Sequence, residues 1–184
     1  MKKNNILNST IVLKLALMTL VVAVTFTSAA SLSIAQVKPS GDSFEWSAEL
    51  ISFDATTRSM TVKTYVVGEN APAEIAKLKA GEKIVLTWSG VDRYTSGITH
   101  AVAYSAAKTS ERFTLPVEFV SYDATQKYMT FKTQVPAAGV DKIKNLKPGE
   151  WVTATSIHGK ATETQPIVSI RPYVIQPNES TNSN

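Results

Sequence analysis

The chain of 184 residues carries 19 basic and 15 acidic residues, two histidines and no cysteine. Lys2, Lys3 and Lys14 precede every acidic residue, so the chain beyond residue 35 holds 19 − 3 = 16 basic against 15 acidic residues. Near-neutrality excludes an ordinary nucleic-acid binder, which needs a basic face to displace counterions from phosphates. The lack of cysteine excludes disulfides and thiolate chemistry.

In chain order, the first feature is Met1-Lys2-Lys3, a polar stretch, and then the run Ile11–Phe26, "IVLKLALMTLVVAVTF". A basic start, an apolar centre and small residues after it form the pattern of a secretory signal peptide. Cleavage after Ala35, with Ser33 at minus three, or after Ala30, with Ser28 at minus three, fits the small-x-small rule, and Ala35 is preferred. A membrane anchor would need roughly 20 apolar residues, and this run is shorter and interrupted by Lys14. The expectation is a bacterial periplasmic or secreted protein, with a signal peptide over 1–35, a linker over 36–42 and no membrane segment after cleavage.

Residues 52–64, "SFDATTRSMTVKT", match residues 121–133, "SYDATQKYMTFKT", at eight of thirteen positions. At the same offset of 69, Glu49 falls on Glu118 and Tyr104 on Tyr173, while "KLKAGE" (77–82) falls on "NLKPGE" (145–150) at 68. The one-residue gap lies in a loop, which marks a tandem duplication. The two repeats are expected over 43–107 and 112–175, with a linker at 108–111 and a polar, disordered tail over 176–184.

Each repeat reads β-β-α(short)-β-β. In the first strand Phe44, Trp46, Ala48 and Leu50 alternate with polar residues, and the apolar phase then jumps to Ile51 and Phe53. The second copy has Phe113, Leu115, Val117 and Phe119, then Val120 and Tyr122. Side chains alternate faces with period two, so a phase slip at one place in both copies predicts a β-bulge that re-aims the strand. "DATTRS" and "DATQKY" are polar turns whose aspartates, Asp54 and Asp123, accept backbone N–H bonds. The second strands carry Met60, Val62 and Thr64, or Met129, Phe131 and Thr133. Short helical segments follow, and "KAGE" and "KPGE" form tight turns with glycine at positive φ. Third strands run through Ile84, Leu86 and Trp88 or Val152, Ala154 and Ser156, and fourth strands through "ITHAVAYS" or "IVSIRPYVI". The expected fold is mainly β, with two tandem small OB/SH3-like barrels.

The bent strand, the aspartate turn, "MTVK" or "MTFK", and "IKNLKPGE" together resemble small periplasmic OB-like barrels, among them the copper-carrying chaperones of metal efflux systems. The resemblance implies the barrel fold and raises copper or zinc handling as an alternative function. That family holds its metal with one histidine, two methionines and a tryptophan; their spacing is not reproduced here, so no ligand residue carries over.

Met60 and Met129 share the apolar face with Val62 and Phe131, which assigns them to the core. His100 and His158 are the metal candidates, although they are not repeat equivalents and a metal needs several converging ligands. Ser156 and His158 lie close in sequence without an orienting carboxylate, so neither a nucleophile-base pair nor a paired-carboxylate site is expected. The reading is non-enzymatic, without a cofactor. Recognition is expected where the repeats disagree: Asp92, Arg93 and Tyr94 in the loop 89–97, with His100 beyond it. Trp151, whose repeat partner is Lys83, is either exposed for a ligand or buried between the barrels, and burial is preferred. The composite expectation is a binding or structural module for a periplasmic protein, peptide or glycan, with metal handling as the alternative, hydrolase activity behind it, and the oligomeric state open.

Overall fold

The computed structural model describes residues 43–90, 96–107, 112–158 and 166–175. The expected signal peptide, both linkers and the tail lie outside them, as do Asp92, Arg93 and Tyr94. Among the described residues no helix is long and apolar enough to cross a membrane.

Among the described residues eight strands form: β1 (Ser43–Asp54), β2 (Ser59–Tyr65), β3 (Lys83–Ser89), β4 (Gly97–Ala103), β5 (Thr114–Asp123), β6 (Tyr128–Gln134), β7 (Trp151–Ile157) and β8 (Ile167–Pro172). Helix α1 (Ala71–Ile75) lies between β2 and β3, and helix α2 (Val140–Ile143), preceded by a 3-10 turn, lies between β6 and β7. Alternation sets the faces: in β2 and β6, Met60, Val62, Met129 and Phe131 are fully buried while the residues between them are partly exposed. The two methionines are therefore core residues.

The bulges form where the apolar phase slips. Pairing of β1 with β2 shifts register between Leu50 and Ser52, and pairing of β5 with β6 shifts between Phe119 and Ser121, leaving Ile51 and Val120 as the extra residues. Asp54 accepts N–H bonds from Thr56 and Thr57, and Asp123 from Thr125 and Gln126, so both aspartates close their hairpins as expected. Gly81 and Gly149 take φ of 82° and 93° in the two tight turns, conformations open to glycine at little cost.

The strands do not divide into two barrels. They form one eight-stranded antiparallel sheet in the order β4-β3-β5-β6-β2-β1-β7-β8, which is not closed into a barrel. The order reads the same from either end when β1–β4 are exchanged for β5–β8. β3 pairs with β5 and β7 pairs with β1, so the third strand of each sequence segment lies against the first strand of the other, with its own fourth strand on its outer side. The registers follow the offset between segments: Glu49 faces Trp151, and Glu118 faces Lys83. At the centre, Val62 faces Phe131, the residue 69 positions ahead of it. The bulge is where the crossing is fastened. Leu50 exchanges backbone bonds of 2.8 Å with Gly149 and Glu150, and Phe119 exchanges bonds of the same length with Gly81 and Glu82.

This exchange gives one hydrophobic core instead of two. Trp46 on β1 packs with tilted rings at 5.3 Å against Trp88 of β3 and at 5.8 Å against Phe131 of β6, although the sheet order separates β1 from β3 by three strands. The sheet therefore curls until its inner faces meet. Trp46 donates its indole N–H to Ser156 Oγ at 2.9 Å, both groups being fully buried, so the polar atoms satisfy each other. Two such small cores would each bury a modest share of their surface, and the shared core removes that limitation.

The two ends differ in detail. Val67 and Gly68 donate N–H bonds to Ile98 O at 2.9 and 3.1 Å, adding a parallel bridge between Val66 and Ile98 that draws edge strand β4 toward β2. The residue corresponding to Val67 is Pro136, which has no N–H to give. At Gly97 a Cβ would lie 2.3 Å from Tyr65 O, so the close approach of β4 needs glycine there; the corresponding residue is Pro166.

Candidate functional site

The end of the sheet where β1, β5 and β7 begin or finish presents a cluster of rings. Phe113 immediately precedes β5, with φ of 60°, and its side chain is 45% exposed. A bulky residue at positive φ is strained by about 1–3 kcal/mol unless its surroundings hold it there. Two bonds hold it: its N–H donates to His158 Nδ1 at 2.9 Å, and its carbonyl accepts from Trp88 N–H at 2.8 Å. Its ring meets Phe44 edge-on at 5.7 Å and His158 edge-on at 4.7 Å, while His158 stacks on Phe44 at 5.1 Å with planes 13° apart. The Arg112 guanidinium lies 5.8 Å from the Phe113 ring.

Sequence alternation places Phe113 on the core face, in line with Leu115 and Val117. The structure corrects this: β5 begins one residue later, and Phe113 turns outward while Phe44, its counterpart, remains within β1 at 6% exposure. Because the two residues are identical, comparison of the repeats carries no sign of the difference. Arg112 was likewise not legible as part of a site.

The remaining candidates occupy defined places. His100, on β4, has its Nδ1 3.0 Å from Glu74 Oε1, and the other oxygen of that carboxylate accepts the Ala101 N–H at 3.0 Å. Glu74, on α1, thus clamps an edge strand that would otherwise offer its backbone to other chains. His158 uses Nδ1 to hold Phe113, and no described contact brings the two histidines together. Among the described residues no group of three or more histidine and carboxylate side chains is arranged to hold a metal ion. Ser156 Oγ accepts the Trp46 indole N–H at 2.9 Å, and Ser156 is fully buried.

Trp151 is 8% exposed, but no gap between barrels exists to receive it. It opens β7 opposite Glu49, and its ring meets Tyr173 edge-on at 6.2 Å. At the corresponding place Lys83 Nζ lies 4.1 Å from the centre of the Tyr104 ring. The two positions are thus the same corner of the fold, filled once by an indole and once by an ammonium.

Asp54 titrates below the ordinary carboxylate value of 3.8 because the Thr57 hydroxyl, at 2.7 Å, and then the Thr56 and Thr57 N–H groups favour its ionised form. These bonds serve a turn. Compared with known protein families, with characterised proteins and with solved structures, the chain shows no match.

Proposed function

We propose that the chain is a non-enzymatic, exported binding module that captures a protein or peptide through the Phe113 cluster. The observation that carries this reading is an exposed aromatic ring held in a strained backbone conformation by a histidine. Strain that packing does not require is characteristic of functional positions. An aromatic residue with an arginine beside it is the composition of a binding hot spot. The structural bonds that Ser156, His100 and His158 each make support the non-enzymatic reading.

Export rests on the basic-apolar-small pattern over residues 1–35. The matching registers support descent from a duplicated β-β-α-β-β unit of OB/SH3-like type whose copies now share their strands.

The test is a peptide and glycan array probed with the wild-type chain and with Phe113→Gly, which keeps the positive φ and removes the ring. Peptide ligands of the wild type should lose affinity by about thirtyfold, the scale of a hot-spot truncation. Equal binding by both proteins to every ligand would place recognition elsewhere.

A further inference from the structure

The Phe113 cluster contains a hydrogen bond for which a proton competes. A backbone N–H only donates, so the 2.9 Å contact from Phe113 fixes His158 Nδ1 as an acceptor, and the neutral ring carries its proton on Nε2. Protonation makes both ring nitrogens donors. Two donors then face each other, and the bond is lost. The contact is exposed at the end of the sheet, so protons reach it from solvent without any opening of the core.

What this bond holds is a strained residue, Phe113 at φ of 60° with its ring turned out to solvent. The second tie, from the Trp88 backbone N–H to the Phe113 carbonyl at 2.8 Å, does not titrate. With the carbonyl fixed by Trp88 and the N–H fixed by His158, the backbone torsions between them are pinned. Release of the N–H frees them.

The charged groups around the ring act in both directions. The Arg112 guanidinium, 5.8 Å from the Phe113 ring, is a like charge and opposes a second cation in the cluster. The face of Phe44, stacked on the imidazole at 5.1 Å, favours one. Glu45 follows Phe44 on β1 and so points to the other face of the strand, where it meets Arg171 at 3.5 Å. The adjoining ends of β7 and β8 contribute Ile157, Pro166 and Ile167, which do not titrate.

We infer that His158 is a proton-operated latch: its neutral ring holds Phe113 in place for capture, and its charged ring lets the Phe113 backbone relax, so that a peptide taken at neutral pH is given up in acid. The inference rests on the Phe113 cluster being the capture site. Because the bond needs the deprotonated nitrogen, it is complete well above the ordinary histidine value of about 6.5 and is lost as pH falls through and below that value.

The experiment titrates the ¹⁵N-labelled chain between about pH 8 and about pH 5, on either side of the ordinary histidine value, and re-probes the peptide array at both ends. The coupling between the Phe113 nitrogen and His158 Nδ1 across their N–H···N bond should be present at the upper end and gone at the lower, while the core amides of Val62 and Phe131 keep their shifts. Peptides captured at the upper end should bind about tenfold more weakly at the lower, on the scale of the backbone strain to be held. His158→Asn offers a carbonyl oxygen near the place of Nδ1 and does not titrate, so it should keep the peptides at both ends. His158→Ala, without an acceptor, should bind them weakly at both. A coupling that persists in acid would overturn the inference, and so would acid release that is absent from the wild type or equal in His158→Asn. Failure of the capture reading has a different signature: Phe113→Gly then binds every peptide as the wild type does, or no peptide is captured, and the latch loses its function although the coupling still disappears in acid.

Discussion

The half of the sheet formed by β7, β1 and β2 and the half formed by β3, β5 and β6 agree in hydrogen-bond register and differ in side chains. One half closes its outer face with Trp151, Tyr65 and the Glu49–Lys63 ion pair. The other presents Lys83, Glu118, Lys132 and Gln134 around an open depression. The difference teaches that backbone geometry and surface chemistry are separable here: bulges, aspartate turns and glycine turns recur because the curl of the sheet requires them, and rows that face water are released to diverge.

The core obeys the same comparison through exchanges of size. Trp46 corresponds to Leu115 and Ser156 to Trp88, so each half places one large ring and one small partner, but on opposite strands. Copying one half onto the other at a single position should therefore be costly. Trp46→Leu would leave a void beside Trp88 and Phe131 and strip Ser156 of its donor, for a loss of about 3–5 kcal/mol in urea unfolding. A loss under about 1 kcal/mol would show that the indole does not hold the two inner faces together.

A second pair sharpens the point. A Cβ at Gly139 would lie 2.4 Å from Ile170 Cγ2, whereas the corresponding positions hold Ala71 and Ala101, both fully buried. Gly139→Ala alone should cost about 1–3 kcal/mol through overpacking, and Ile170→Ala about 2–5 kcal/mol through its cavity. The double variant copies the other half, so its cost should fall short of the sum by about 0.5–3 kcal/mol. Additive costs would mean that the two sites are not packed together.

Smaller effects are expected at the edges. Val67→Pro copies Pro136 and removes the N–H bond to Ile98; it should cost about 1 kcal/mol and speed hydrogen exchange along β4. Smallest is the response of the Asp54 turn. The folded pKa of Asp54 lies below its ordinary value, chiefly through the Thr57 hydroxyl. Its contribution is therefore complete above the unfolded value of about 3.9 and is lost as pH falls through the depressed folded value. Asp54→Asn should lower the melting temperature slightly at neutral pH and flatten its decline below about pH 4. An unchanged acid limb would contradict that assignment.

Much of the local structure was legible in the sequence. The phase slips at Leu50-Ile51 and Phe119-Val120 announced the bulges, because period-two alternation reports at once when a strand changes face. The aspartate and glycine turns were legible because each residue type there has one inexpensive use. Strand partnership was not: alternation states which face a residue occupies and is silent on which strand lies beside it, so β3 beside β5 looked no different from β3 beside its own copy. Lys83 and Trp151 stood out as a mismatch, yet their meaning required knowing that Glu118, Lys132 and Gln134 share the outer rows with Lys83. Phe113 was hidden by its identity with Phe44. Only its backbone angle and exposure distinguish it.

The crossing of strands between segments is most directly tested by cross-strand nuclear Overhauser effects in the labelled chain. Contacts between the Cα protons or amides of Trp46 and Ala154, and of Leu86 and Leu115, are predicted by the registers of β1 with β7 and β3 with β5. Contacts linking β1 to β3 and β5 to β7 as paired backbones would restore two separate barrels and contradict the account.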